Sequence, residues 1–184
     1  MSASVTTAFP DHTIETAPAA ARRTMTAIQD EWGYIPSAVA KQVTSPHTLD
    51  GFLKLNAIFE NTTLDRLVRE VVIMTMATRN GCHLCIAIHT QRLQAMDADL
   101  AVITALRAAD PLPEPRLEAV RCFTLRVLET TGAVGDEALD NFLAHGFTPQ
   151  NALEVVLGIA TYTLSTFANR LTGATIDPPL TQYA

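Results

Sequence analysis

Residues Glu70–His89 read EVVIMTMATRNGCHLCIAIH, and the rest of the chain is organised around them. From Val71 to Ala77 the run is apolar almost all round, as in a segment buried on every side. Its β-branched content fits a buried strand. The start signal at Thr63 and the length from Leu64 to Arg79 favour a helix instead. Asn80-Gly81 then reads as a helix stop, since both residues accept a left-handed backbone. A second helix begins at Cys82. At 100° per residue, Cys85 and His89 lie about 300° and about 340° round from Cys82. Two sulfurs and an imidazole therefore share one narrow face at a helix start.

That face suits redox chemistry. A thiol in the first turn of a helix sees unpaired N–H groups and the positive end of the dipole, which stabilise the thiolate. The neighbouring His89 can take the proton. Cysteines three residues apart on a helix lie within disulfide reach. Glu70 has Leu67, Ile73, Met74 and Ala77 as its helical neighbours, with Arg66 one turn back. A carboxylate so placed has a raised pKa unless paired, which suits a proton relay. A helix hairpin across Asn80-Gly81 could bring it to the cysteines.

Outward from this centre the chain reads as helices throughout. Residues 1–16 read as a loose arm, and 17–184 as a single domain. Helices are expected over 17–31, from Ser45-Pro46 through Phe59, over 64–79 capped by Thr63, and over 82–95. More follow after Asp97, over 116–131, over 136–145, and from Thr148-Pro149 to Leu171. The tail at Asp177-Pro178-Pro179 is read as non-helical. No segment alternates as a strand does, so the fold class is all-α. A faint repeat runs through it. Leu49-Asp50-Gly51-Phe52-Leu53 is echoed by Leu139-Asp140-Asn141-Phe142-Leu143, and Glu70-Val71-Val72-Ile73 by Glu154-Val155-Val156-Leu157. This suggests two related helix pairs about a pseudo-axis. In the second copy Cys82, Cys85 and His89 fall on Thr166, Asn169 and Gly173.

Composition narrows the function. Over 184 residues, 48% are hydrophobic and 17% charged, below the usual charged share of ~25%, which points to burial between subunits. With a net charge of −6 and no basic run longer than Arg22-Arg23, nucleic acid and anionic membranes are not expected partners. No signal peptide is visible and no apolar run approaches the ~20 residues of a membrane span, so a cytoplasmic location is expected. There a C-x-x-C is catalytic or metal-binding rather than a structural staple.

Glu70, eleven further residues, then C-x-x-C-x-x-x-His resembles the AhpD-like alkylhydroperoxidases of the carboxymuconolactone decarboxylase superfamily. Ile35-Pro36, Ser45-Pro46, Asn80-Gly81-Cys82 and Gly146-Phe147-Thr148 support the likeness, which spans roughly residues 33 to 178. The resemblance implies an AhpD-like helical bundle assembled as a homotrimer or hexamer. It implies a peroxidase in which the Cys85 thiolate attacks a hydroperoxide, Cys82 resolves it as a disulfide, and Glu70 and His89 relay protons. No cofactor or metal is implied. Reduction comes from an external dithiol, such as a lipoylated protein or a thioredoxin-like donor. One departure stands out: some peroxidase members carry a histidine directly before the second cysteine, where this chain has Leu84, its histidine being His83.

Other readings of the same residues remain. The helix dipole favours Cys82 as the more acidic sulfur, whereas the resemblance favours Cys85. Cys82, Cys85, His89 and Glu70 also make a donor set for Zn²⁺, though structural zinc sites draw on two knuckles and only one is present. Two buried core cysteines without function are the plain alternative. A protein disulfide reductase and a lactone decarboxylase-like lyase are the competing activities. Cys122 is expected as a packed hydrophobe.

Overall fold

Side-chain oxygens set several of the helix starts in the computed structural model, which describes residues 8–184. Among these residues lie nine α-helices and no strand. They are α1 (Ala19–Trp32), α2 (Ser37–Gln42), α3 (Pro46–Glu60), α4 (Arg66–Arg79), α5 (His83–Ala95), α6 (Leu100–Ala108), α7 (Pro115–Glu129), α8 (Asp136–Ala144) and α9 (Pro149–Thr172). A 3-10 helix, Pro178–Tyr183, follows. The fold is all-α, as expected. Ser45 caps α3 by accepting from Thr48 N, with Pro46 in the first turn. At α9, Thr148 Oγ1 accepts from Asn151 N at 3.1 Å and Asn151 Oδ1 accepts from Thr148 N at 3.0 Å, a reciprocal capping box.

Some boundaries differ from expectation. Helix α4 starts at Arg66 because Asp65, not Thr63, is its cap, accepting from Val68 N at 2.9 Å. Thr63 is engaged elsewhere: its N–H and hydroxyl donate to Glu154 at 3.0 and 2.8 Å. Glu154 thereby pins the α3–α4 loop to α9. Asp97 sits in a left-handed turn with φ 54°, and Asp99 caps α6 through Ala101 N at 2.8 Å. Helix α2 was not anticipated, since six residues are too few to display a 3.6-residue period. The tail after Asp177 coils into the 3-10 helix rather than remaining irregular.

The all-round apolar run has its cause in the packing. Val71, Val72, Ile73, Met74, Met76 and Ala77 are all fully buried, because α4 is packed by α9, α5, α7 and α6 at once. The repeated motifs fall on α3–α4 and α8–α9, and the two long members, α4 and α9, lie against each other. Of the segment read as an arm, residues 1–7 lie outside the described residues. In the remainder, His12 N donates to Ala40 O at 3.0 Å, and the buried Lys41 Nζ reaches Phe9 O at 3.1 Å and Asp11 Oδ1 at 3.2 Å. Among the described residues, no helix is long and apolar enough to cross a membrane.

Candidate active site

The α4–α5 junction is built by backbone geometry and held by α9. Gly81 takes φ 63°, a value that favours glycine, and the turn lets Cys82 N donate back to Ala77 O at 2.9 Å. Asn80 is buried and its Nδ2 donates to Thr166 Oγ1 at 2.9 Å. The Arg170 guanidinium donates to Asn80 O. Cys82 is the N-cap of α5, its Sγ accepting from Cys85 N at 3.4 Å. The two cysteines form a disulfide with Cα atoms 5.3 Å apart, and both are buried. The spacing argument for proximity therefore holds. His83, by contrast, is exposed.

Across the turn, α4 delivers Glu70 to α5. Its Oε2 lies 2.7 Å from His89 Nδ1 and its Oε1 lies 3.8 Å from the Arg92 guanidinium. Burial pushes the Glu70 pKa up. The facing His89, with Arg92 and then Arg66, outweighs burial and holds the carboxyl below its ordinary value. The isolated, raised carboxyl considered from sequence is thus a paired one, and its partners come mainly from α5 rather than from Arg66. An ionised carboxylate only accepts hydrogen bonds. His89 Nδ1 therefore carries the hydrogen, leaving Nε2 to take a proton. Arg92 also reaches Glu60 Oε1 at 3.1 Å. The Tyr162 ring meets the His89 ring edge-on at 5.4 Å. Burial raises the Tyr162 pKa, so it stays a phenol and donates to Asn56 Oδ1 at 2.8 Å.

Because the Glu70 pKa is depressed on folding, its contribution to stability is complete above the ordinary carboxyl value of 4.5 and is lost as pH falls through the folded value. Glu70→Gln should flatten the acid limb of the stability curve. Urea midpoints measured from pH 7 down to pH 3 in parent and variant test this, and parallel curves would exclude it.

Cys85 and His89 open onto a cavity of about 310 Å³. Phe52, Leu53, Val39 and Ile28 give it an apolar wall, and Gln42, Asn169 and Arg92 add polar groups. Cys82 is not part of that lining. Asn169 Nδ2 lies 3.4 Å from Cys85 Sγ and 4.0 Å from Cys82 Sγ, and Gln42 Nε2 donates to Asn169 Oδ1 at 2.7 Å. Sequence reasoning did not single out Gln42, Arg92 or Asn169 as site residues. The repeat held the signal for Asn169, since it matched that position to Cys85. Arg92 lies one turn beyond His89 on the same helix.

Cys122 departs from expectation. It is exposed, and its thiol donates to Glu118 Oε1 at 3.1 Å. Partial burial of the sulfur and the carboxylate push its pKa to about 11. Among the described residues, no three His, Cys, Asp or Glu side chains are placed to hold a metal ion. Glu70 and His89 are turned to each other and the sulfurs are bonded together, so the donor set for zinc is not assembled.

Residues 46–121 match the carboxymuconolactone decarboxylase family. Among solved structures, an uncharacterized peroxidase-related protein with an alkylhydroperoxidase AhpD core, from Ralstonia eutropha JMP134, is similar at TM-score 0.81 and 20% identity, covering 94% of this chain and 93% of that one. A peroxidase-related protein from Silicibacter sp. TM1040 matches at TM-score 0.77 and 14% identity, over 96% and 94% of the two chains. The debrominase Bmp8 matches at TM-score 0.76 and 13% identity, over 98% and 97%. At such identities these likenesses speak for the fold. The curated proteins contain no significant match. The segment that matches the family carries the cysteine pair, and the fold around it is similar to that of the AhpD-core protein.

Proposed function

We propose that the protein is a thiol-dependent peroxidase that reduces organic hydroperoxides through Cys85 and Cys82. The observation that carries the reading is the cavity, in which Cys85 and His89 meet an apolar wall while Glu70 holds His89 from behind. His89 Nε2 takes the Cys85 proton. The thiolate attacks the terminal oxygen of ROOH, the O–O bond breaks, and the alkoxide leaves as ROH with that proton. Cys85 is then a sulfenic acid. The Cys82 thiol displaces its oxygen as water, forming the disulfide. An external dithiol returns both thiols by exchange and is itself oxidised to a disulfide. This order assigns attack to Cys85 on the strength of its access to the cavity. Cys82, buried at the helix cap, resolves.

A lipoylated or thioredoxin-like protein is the reductant class that suits a two-thiol exchange, and such a cycle suits a reducing compartment, the cytoplasm. Mixing the reduced protein with tert-butyl hydroperoxide should consume about one equivalent per chain as Cys82 and Cys85 join, and turn over continuously once a dithiol is added. Failure to consume peroxide, with protein disulfides still reduced, would instead favour the disulfide reductase.

The protein is further proposed to assemble as a homotrimer or hexamer. Leu153, Val156, Phe167 and Leu171 are exposed along α9, at spacings that form one stripe. Exposed apolar side chains gathered in one stripe mark an interaction surface. Charging it by Phe167→Glu with Leu171→Glu should reduce the sedimentation mass from a multiple to the single-chain 19.9 kDa. An unchanged mass would place the seam elsewhere.

A further inference from the structure

We infer that the Asn169 carboxamide, oriented by Gln42, donates a hydrogen bond to the Cys85 thiolate and sets its acidity. The inference rests on reading Cys85 as the reacting thiolate. Its warrant is the direction in which the hydrogen bonds must run. A thiolate sulfur only accepts, as does a disulfide sulfur, so the group at 3.4 Å from Cys85 Sγ must be the Asn169 amide nitrogen. Asn169 Oδ1 then faces Gln42 at 2.7 Å and needs a donor, which fixes Gln42 Nε2 on that side. Gln42 Oε1 is left over. It is buried and has no hydrogen-bond partner among the described residues.

An orphaned acceptor in the interior is destabilising, and an apolar pair of similar shape would avoid it. Gln42 and Asn169 are each more than nine-tenths buried, so the arrangement does little for stability. Its effect falls on the sulfur. Donation to the charged form lowers a pKa, and a charge-assisted bond is about twice as strong as a neutral one. The amide therefore favours the thiolate over the thiol and over the disulfide. The repeat read from the sequence matched Asn169 of α9 to Cys85 of α5, and the amide of the one meets the sulfur of the other.

The test is the pH dependence of Cys85 alkylation by iodoacetamide, in reduced full-length protein carrying Cys82→Ser and Cys122→Ser. The ionisable groups facing the sulfur's cavity are His89 and Arg92 of α5, Tyr162 of α9, Glu31 of α1 and Asp177 before the 3-10 helix. Glu70 of α4 stands behind His89. All are the same in every variant compared. Asn169→Leu should raise the alkylation midpoint by about one pH unit. At pH above the new midpoint it should react as fast as its background. Gln42→Met removes the orienting donor and the orphan acceptor together. It should raise the midpoint by roughly half a unit without lowering the urea midpoint. Ser165→Ala, which changes another cavity residue, should leave the midpoint in place. The inference is overturned if neither Asn169→Leu nor Gln42→Met moves the midpoint, or if the slowing persists at every pH, as a displaced helix would cause. Should Asn169→Leu fail to fold, Gln42→Met alone decides. Because alkylation needs no peroxide, a midpoint shift in protein that consumes none would keep the amide's role and discard the peroxidase.

Discussion

Cys85→Ser should abolish peroxide turnover, leaving only the rate of the dithiol with peroxide alone. A serine hydroxyl stays protonated at any pH the fold tolerates and is a poor nucleophile toward an O–O bond. No residual cycle through Cys82 is expected, because Cys82 is the N-cap sulfur of α5 and does not line the cavity. Cys82→Ser has a different signature. It keeps the attacking sulfur and the cap, since a serine oxygen accepts from Cys85 N as well as a sulfur does. That variant should consume about one equivalent of peroxide and stop, with Cys85 heavier by one oxygen atom and trappable as a sulfenic acid. Mass spectrometry of both variants after a single addition of tert-butyl hydroperoxide separates the roles. A trapped oxygen on Cys82 in Cys85→Ser would invert the order and vindicate the helix-dipole argument. The expected drop for Cys85→Ser is on the order of a thousandfold or more, the scale on which an activated nucleophile contributes.

How far the site was legible follows from the range over which each signal acts. Cys82, Cys85 and His89 share one helix, so spacing alone places them together. Glu70 required a turn, and Asn80-Gly81 advertises it. The turn made their approach conceivable and the family resemblance joined Glu70 to His89, while Arg92, which helps to hold Glu70 ionised, was not singled out. Arg92 looked like any helix arginine, and its reach to Glu60 and Glu70 depends on where α3 ends and how α4 packs on α5. Gln42 and Asn169 were hidden for a similar reason. They lie 127 residues apart, on a helix too short to show a period and on one whose amides attract no notice in sequence. Cap choice failed locally: Thr63 and Asp65 are both good N-caps. The tie was broken by Glu154, ninety-one residues away, which takes Thr63. Cys122 misled because a cysteine beside Phe123 resembles core, whereas α7 turns Phe123 inward and leaves the sulfur to Glu118.

Close packing at one helix crossing predicts a large effect on stability. Gly158 lies where α9 crosses α3 and α4, and a Cβ there would stand 2.7 Å from Phe59 Cε2 and Cζ and 3.0 Å from Val72 Cγ1. Phe59 and Val72 are fully buried, so the ring has no room to swing aside. Gly158→Val should cost about 3 kcal/mol, the upper end for overpacking a closed core. That lowers Tm by roughly 6–12 °C in a chain of this length. Gly158→Ala should lose less, because better helix propensity returns about 1 kcal/mol. Gly51 on α3 supplies the contrast, with nothing within 4 Å of its would-be Cβ. Gly51→Ala should raise stability by about 0.5–1 kcal/mol. The same substitution thus carries opposite signs at two helical glycines, a pattern that propensity alone does not produce. Urea titrations of the three variants decide it. If Gly158→Ala and Gly51→Ala stabilise alike, the α9 crossing is looser than its contacts indicate. Because α9 also carries Tyr162 to His89, Thr166 to Asn80 and Asn169 to the cysteine pair, a displaced crossing should slow peroxide turnover in the Gly158 variants even at temperatures where they remain folded.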